Sequence, residues 1–273
     1  MPLFLFGIVA GVFNVSCNQE IMTVTINKRQ ELKSIPSASG IVSVNEDWYV
    51  IGDNAPLLYR LNKDFIVVET RLLIEGNIDS IIPKISKPDF EAMTTIGDGD
   101  AKSILIFGSG SKSPERDKMV MISLKKDGLI KTYDLKAVYD AIRNSGIINA
   151  ESLNIEAATT IDDRLFLFNR ETNMVLEYVL KDFMDFMEHD GPLTTFKTYQ
   201  LQLPQLEGLQ AKVSGATSIP NTKQILITAS VENTPNTYDD GDVLGSYVGI
   251  LSMDQLKDGY RPNCILLKEH GQA

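Results

Sequence analysis

From residue 38 onward, short apolar or β-branched runs alternate with turn-forming residues, the rhythm of an all-β sandwich, barrel or propeller. The pattern predicts strands over 40–44, 48–51, 57–61, 65–70, 103–107, 119–123, 164–168, 175–179, 224–228 and 247–252. Asn45-Glu46-Asp47, Gly97-Asp98-Gly99-Asp100 and Ile161-Asp162-Asp163 between them have the chemistry of hairpin turns. Asp98 and Asp100 therefore need no metal to explain them. Three stretches change period. Behind Asp134, a candidate cap, Leu135, Val138, Tyr139 and Ile142 recur at helical spacing. Residues 180–189 (LKDFMDFMEH) form a second amphipathic stripe and 253–257 a single turn. Their Met and Phe side chains read as packing against the β body, and the segments as insertions between repeats.

The repeats themselves are weak. Ser39-Gly40-Ile41, Phe90-Glu91-Ala92-Met93, Ile155-Glu156-Ala157-Ala158 and Ser214-Gly215-Ala216-Thr217 each open a segment of the form small or acidic, small, apolar, then turn, then strand. Counted from Gly40, Glu91, Glu156 and Gly215, they lie 51, 65 and 59 residues apart, a spacing that suits a four-stranded blade with insertions. The expected fold is a β-propeller of five, or six, four-stranded blades with short helical insertions.

The net charge of −10 changes the picture by opposing a phosphate backbone, and no basic stripe with interleaved aromatics offsets it. Nucleic acid is excluded as a partner. The N-terminus adds an address. Residues 3–15 (LFLFGIVAGVFNV) have the length of a signal-peptide core and are too short to span a bilayer as a helix. Ser16-Cys17 followed by Asn18-Gln19-Glu20 resembles a lipobox, with Cys17 as the lipidated residue; Asn14 in place of Leu and the lack of a preceding Lys or Arg depart from that pattern. The expectation is a signal segment over 1–20, the alternative for its apolar run being a core strand, one propeller domain over 21–273, and a cell-envelope location, either as a periplasmic or outer-membrane lipoprotein touching the membrane only through its lipid, or as a secreted protein. Cys264, within NCILL, reads as a small buried hydrophobe.

Candidate chemistry follows from the repeats. Equivalent positions of inner strands converge on a propeller axis, so Glu91 and Glu156 are placed there; a carboxylate in such a setting is hydrated, paired or bound to a cation. Hard oxygen ligands favour Ca²⁺ or Mg²⁺, and Glu91 and Glu156 are the candidate metal ligands, against capping of backbone N–H groups or structural pairing with arginine. The loop Gly108-Ser109-Gly110-Ser111-Lys112-Ser113, with Arg116 behind it, offers N–H, hydroxyl and guanidinium donors to an anion, the alternative being a plain turn. It lacks the ending of a phosphate-binding Walker loop. The long polar segment 232–249 is a further candidate, although Asp239, Asp240 and Asp242 lack calcium-loop spacing. His189 and His270 stand far from any paired acid or nucleophile, which leaves a Ser-His-Asp triad or a zinc site without support.

Several of these motifs, in order, are similar to a family of secreted or lipid-anchored bacterial β-propellers whose function is open. They are Ser39-Gly40 with Gly52-Asp53; Lys87-Pro88-Asp89-Phe90-Glu91-Ala92; Phe107-Gly108-Ser109-Gly110-Ser111 with Arg116; Leu153-Asn154-Ile155-Glu156 with Phe168-Asn169-Arg170; and 232–249 with its Thr-Tyr-x-Asp-Gly core. Ala157 and Glu171 stand where that family has glycine. The resemblance also implies one further acidic repeat beyond residue 268, so the last blade is expected to be incomplete, with 22–32 as the strand that pairs with it. More distantly the repeats look like esterase-like phytases and lactonase-type propellers, in which axial carboxylates bind calcium. Together these readings nominate Asp53, Asp89, Glu91, Ser109, Ser111, Arg116, Asn154, Glu156, Arg170, Glu232, Tyr238 and Asp240 as ligand-binding residues. The expected function is binding of a small polar or anionic ligand, or of a protein partner, at the channel face. The alternative is a Ca²⁺-dependent hydrolase of a phosphoester or lactone.

Overall fold

The computed structural model describes residues 4–8, 24–74, 81–125, 128–189, 191–233 and 242–267. Four antiparallel four-stranded sheets follow one another along the chain as the blades of a propeller. Before them, β1 (Phe4–Ile8) and β2 (Ile26–Glu31) pair as a two-stranded ribbon. Blade 1 comprises β3 (Ala38–Val44), β4 (Asp47–Gly52), β5 (Leu57–Leu61) and β6 (Val67–Leu72). Blade 2 comprises β7 (Phe90–Ile96), β8 (Ser103–Gly108), β9 (Lys118–Ser123) and β10 (Ile130–Asp134), and is followed by helix α1 (Lys136–Asn144). Blade 3 comprises β11 (Ile155–Ile161), β12 (Arg164–Asn169), β13 (Met174–Val179) and β14 (Phe196–Gln200), with α2 (Leu180–His189) inserted before its last strand. A small hairpin, β15 (Gln205–Leu206) and β16 (Leu209–Gln210), leads into blade 4, made of β17 (Lys212–Ser218), β18 (Gln224–Asn233), β19 (Asp242–Ser252) and β20 (Asn263–Leu266).

The apolar patterns explain the stacking. In β8, Ile104 and Ile106 face the core shared with blade 1, while Leu105 and Phe107 face the core shared with blade 3, and all four are fully buried. In β12, Leu165 and Leu167 join blade 2 and Phe166 and Phe168 join blade 4. A strand buried on both faces needs a continuous apolar run, which SILIF and LFLF supply. Each such side chain contributes about 1.5–3 kcal/mol of burial. In β18 only alternate residues, Ile225, Ile227, Ala229 and Val231, are buried, all toward blade 3, and Leu226, Thr228 and Ser230 on the other face are half-buried. The inner strands β3, β7, β11 and β17 pack in that order, and among the described residues no comparable packing joins β17 back to β3. The far face of blade 1 is instead packed with Leu32 and Ile35 from the segment ahead of it.

Several expectations change. Among the described residues there are four blades, not five or six. Intervals lengthened by inserted helices do not fix a blade count. The fourth blade has all four strands rather than an incomplete set, because 263–266 completes it by pairing with β19. Residues 26–31 pair with β1 and not with the last blade. The helices agree closely. Leu135, Val138, Tyr139 and Ile142 are buried as their spacing requires, and α2 spans the expected stretch. Leu135, not Asp134, holds the cap position of α1; the Asp134 carboxylate accepts from the Lys136 N–H at 2.7 Å. Cys264 is half-buried against Gly249, and burial pushes its thiol up to about 11.

Candidate functional site

Every inner strand loses register near its start. Ala38 pairs with Gly52 and Gly40 with Ile51; Phe90 pairs with Gly108 and Ala92 with Phe107. Ile155 pairs with Asn169 and Ala157 with Phe168; Val213 pairs with Ala229 and Gly215 with Thr228. Ser39, Glu91, Glu156 and Ser214 are therefore the unpaired residues of four equivalent β-bulges. A bulge bends its strand and re-aims the extra side chain, here at one end of the channel. This moves the repeat by one residue in blades 1 and 4: Ser39 and Ser214, not Gly40 and Gly215, are the equivalents of Glu91 and Glu156. The bends bring backbone close to the second strand, which explains two glycines. A Cβ on Gly52 would lie 2.3 Å from the Pro36 carbonyl oxygen, and one on Gly108 would lie 2.4 Å from that of Arg116.

Around the mouth of blade 2, Asp89 collects donors. Ser109 Oγ donates to Asp89 Oδ2 at 2.6 Å, Arg116 Nη1 donates to the same oxygen at 2.5 Å and to Ser111 Oγ at 2.6 Å, and Lys87 Nζ lies 2.6 Å from Asp89 Oδ1. Lys87 also donates to Asp53 of blade 1, so one ammonium bridges two blades. Burial pushes that ammonium down, and its bonds to Asp53 and Asp89 more than offset this, leaving it raised. The hydroxyl and guanidinium donors of the glycine and serine loop are taken up by the chain's own Asp89. Helix α1 braces the loop from behind. Tyr139 Oη donates to the Gly108 carbonyl at 2.7 Å, and Arg143 grips the buried Asp117 carboxylate with both terminal nitrogens and reaches the Gly110 carbonyl at 2.7 Å.

At the seam between blades 2 and 3, the charge of Glu156 acts on Glu91. Burial, then the charges of Glu156, Asp89 and Asp53, hold the Glu91 carboxyl well above the usual carboxylate range, with Lys87 opposing. Burial also raises Glu156, opposed chiefly by Arg170 and by an Asn154 amide that donates to Glu156 Oε1 at 2.9 Å. Arg170, almost fully buried, crosses to blade 4, donating to Glu232 Oε1 at 2.5 Å and to Ser230 Oγ at 3.2 Å.

Hydrogen bonds and ion pairs thus join Asp53, Asp89, Ser109, Ser111 and Arg116 around Lys87, Asn154 to Glu156, and Arg170 to Glu232, while Glu91 has its carboxylate near those of Asp53 and Asp89 and feels the charge of Glu156. Tyr238, Asp240 and Cys17 lie outside the described residues. Lys87, Ser39, Ser214 and Ser230 were missed as site residues, although Lys87 stands in the quoted Lys-Pro-Asp-Phe-Glu run. Among the described residues, the carboxylate oxygens close enough to share a cation, all within 4.8 Å, belong to Asp53, Asp89 and Glu91; Glu156 is not of this group. The fit to Ca²⁺ is poor, because Lys87 already places a positive charge on two of the three. Ca²⁺ takes six to eight oxygens, and these residues offer the surplus only if the ammonium leaves.

Residues 34–272 match the model of a family of unknown function, DUF6929, and the chain belongs to that family. No curated protein matches it in sequence. Among solved structures it is similar to Kuenenia stuttgartiensis hydrazine synthase (8% identity, TM-score 0.42), covering 87% of this chain and 51% of the other, about half of that protein's length. It is also similar to an α-L-arabinanase mutant of Cellvibrio cellulosa (11%, 0.43, covering 86% and 78%) and to virginiamycin B lyase of Staphylococcus aureus (12%, 0.38, covering 85% and 70%). Likenesses of this degree assign no activity.

Proposed function

We propose that the chain is a binding propeller that takes a small polar molecule at the channel mouth, where blades 2 and 3 meet, without turning it over. One observation carries this reading: two bulges in register present Glu91 and Glu156 to the same seam, while the cations and loop donors nearby are already satisfied by carboxylates of the chain. Like-charged groups brought together by the fold cost stability, and such arrangements cluster at functional sites. Against turnover, the buried hydroxyl of the loop, Ser109 Oγ, bonds to Asp89, whose carboxylate is already engaged by Arg116 and Lys87. Chelator-treated protein should give no turnover of generic phosphoesters or lactones, with or without Ca²⁺. Turnover that disappears in Glu91→Gln would establish the hydrolase reading instead.

The apolar leader and the Cys17 lipobox support a cell-envelope lipoprotein. Among the described residues no helix is long and apolar enough to cross a membrane. Cleavage before Cys17 would remove β1 and leave β2 without its partner. Metabolic labelling with palmitate tests this: the wild-type chain should take up label and Cys17→Ser should not, and equal labelling of the two would sink it.

A further inference from the structure

The outer strands of the four blades differ in how they are defended. An outermost strand turns a row of N–H and C=O groups outward and invites pairing, and proteins blunt such edges with a lysine, a covering helix or a very short strand. β10 and β14 each expose a lysine, Lys131 and Lys197, and Lys131 and Tyr133 of β10 are tied to Glu188 of α2. β20 is only four residues long. β6, the outermost strand of blade 1, has none of these devices. Its exposed residues are Val68, Thr70 and Leu72, with Ile66 just ahead of it, and Ile66, Val68 and Leu72 are 60%, 47% and 38% exposed. Exposed apolar side chains that merely scatter over a surface need no explanation, but these three share one strand edge. The register shift opposite Arg60 and Leu61 falls at the start of the strand and leaves residues 69–72 regularly paired with β5.

We propose that β6 pairs antiparallel with β6 of a second copy of this chain, about a twofold axis at Thr70. The strand is its own complement in that register. The Leu73 N–H donates to the Pro56 carbonyl at 2.7 Å, which turns the N–H and C=O of Arg71 inward to β5 and those of Thr70 and Leu72 outward to the open edge. Thr70 of one copy then faces Thr70 of the other and exchanges two backbone hydrogen bonds with it. Val68 faces Leu72, and Glu69 faces Arg71, each twice by symmetry. Threonine pairs, apolar pairs and opposite charges are the cross-strand neighbours that stabilise an antiparallel sheet. Within one chain Glu69 Oε1 already accepts from Arg71 Nε at 2.7 Å, so across the axis the four groups form one cluster of alternating charge. Moving the axis by one residue sets Arg71 against Arg71 or Glu69 against Glu69, so charge fixes the register. A strand of unrelated sequence would have to reproduce this order of charge, threonine and apolar group; a second copy supplies it unaltered. The contact lies on the rim of blade 1 and does not depend on what the channel mouth binds.

The test is sedimentation velocity of the whole chain at several concentrations. The wild-type chain should sediment as a dimer that dissociates on dilution. Thr70→Lys sets two ammonium groups face to face on the axis, and Thr70→Glu two carboxylates; each should raise the dimer dissociation constant about tenfold or more. Thr70 is exposed, so both variants should keep the circular dichroism spectrum and melting temperature of the wild type. An equimolar mixture of the two should recover a dimer containing one copy of each, because opposite charges then meet on the axis. Thr132→Lys, the same change at an exposed position of β10, should leave the wild-type dimer intact. A wild-type chain that is monomeric at every concentration would overturn the pairing. A dimer that survives Thr70→Lys, or that Thr132→Lys weakens equally, would show that another surface joins the copies and overturn it too. A mixture of Thr70→Lys and Thr70→Glu that stays monomeric would overturn the axis at Thr70.

Discussion

Between blades 1 and 2 a lysine stands among carboxylates, and between blades 2 and 3 a glutamate faces a glutamate. Both seams share the same bulged inner strands and equally dry cores of Ile, Leu and Phe, so packing does not distinguish them. Electrostatics does. Lys87 joins Asp53 to Asp89 across the first seam, whereas Glu156 pushes the Glu91 carboxyl upward across the second. A pair of opposite charges satisfied on both sides is what a structural joint requires. Two like groups held together by the fold have no structural reason to be there, and their cost is borne by the burial on either side.

The largest effect expected from breaking this contrast is at Lys87. Lys87→Met keeps the apolar stem and removes the charge, leaving Asp53 and Asp89 in a mouth where the lysine side chain is only 10% exposed. Removing one partner of a buried pair costs about 3 kcal/mol, because the other charge stays behind uncompensated. The midpoint of urea unfolding should fall accordingly. A midpoint equal to that of the wild type would mean the bridge is not a joint and the two seams are alike.

How far the sequence made this legible depends on which interactions are local. The two-sided burial of β8 and β12 was visible in SILIF and LFLF, and α2 in the spacing of Phe183, Met184 and Met187. The donors Ser109, Ser111 and Arg116 could be read from one loop. That their anion is Asp89 could not, since the contact spans 20 to 27 residues and depends on the bulge that turns the strand after Asp89. Asp89 itself adopts a left-handed backbone (φ 55°), a conformation aspartate tolerates and spacing does not announce. Bulges are invisible without the partner's register, which is why Gly40 and Gly215 looked equivalent to Glu91. Lys87 was not nominated because nothing nearby in sequence marks Asp53 as its partner, 34 residues away.

At the second seam the expected effect is smaller and has the opposite sign. Glu91 has a raised pKa in the folded chain and an ordinary one, near 4.5, when unfolded. The folded state therefore binds the proton more tightly. The stability this supplies is fully present below pH 4.5 and is lost as pH rises through the folded value. Glu91→Gln removes the titration, so its melting temperature should vary less with rising pH than that of the wild type. At alkaline pH the variant should be the more stable of the two, read as the higher melting temperature. Parallel pH profiles for the two proteins would show that Glu91 is solvated and that the seam carries no strain.

The smallest effect sharpens the comparison by holding the chemistry constant and changing the burial. Between blades 3 and 4, Lys212 bonds to Glu171 much as Lys87 bonds to Asp53, and both are lysine–carboxylate bridges between neighbouring blades. Lys212 is 33% exposed, so water can take over its charge and that of its partner when the bond is broken. Exposed pairs contribute about 0.2–1 kcal/mol, and Arg170 with Glu232 remains to join the same two blades. Lys212→Met should accordingly lower the urea midpoint by no more than a third of the loss in Lys87→Met. Raising the salt concentration should shrink the Lys212 effect, since screening reaches exposed pairs first, and leave the Lys87 effect nearly unchanged. Equal losses in the two variants, or equal sensitivity to salt, would mean that the joints differ in position alone and that burial at the mouth of blade 2 is not what makes Lys87 hold.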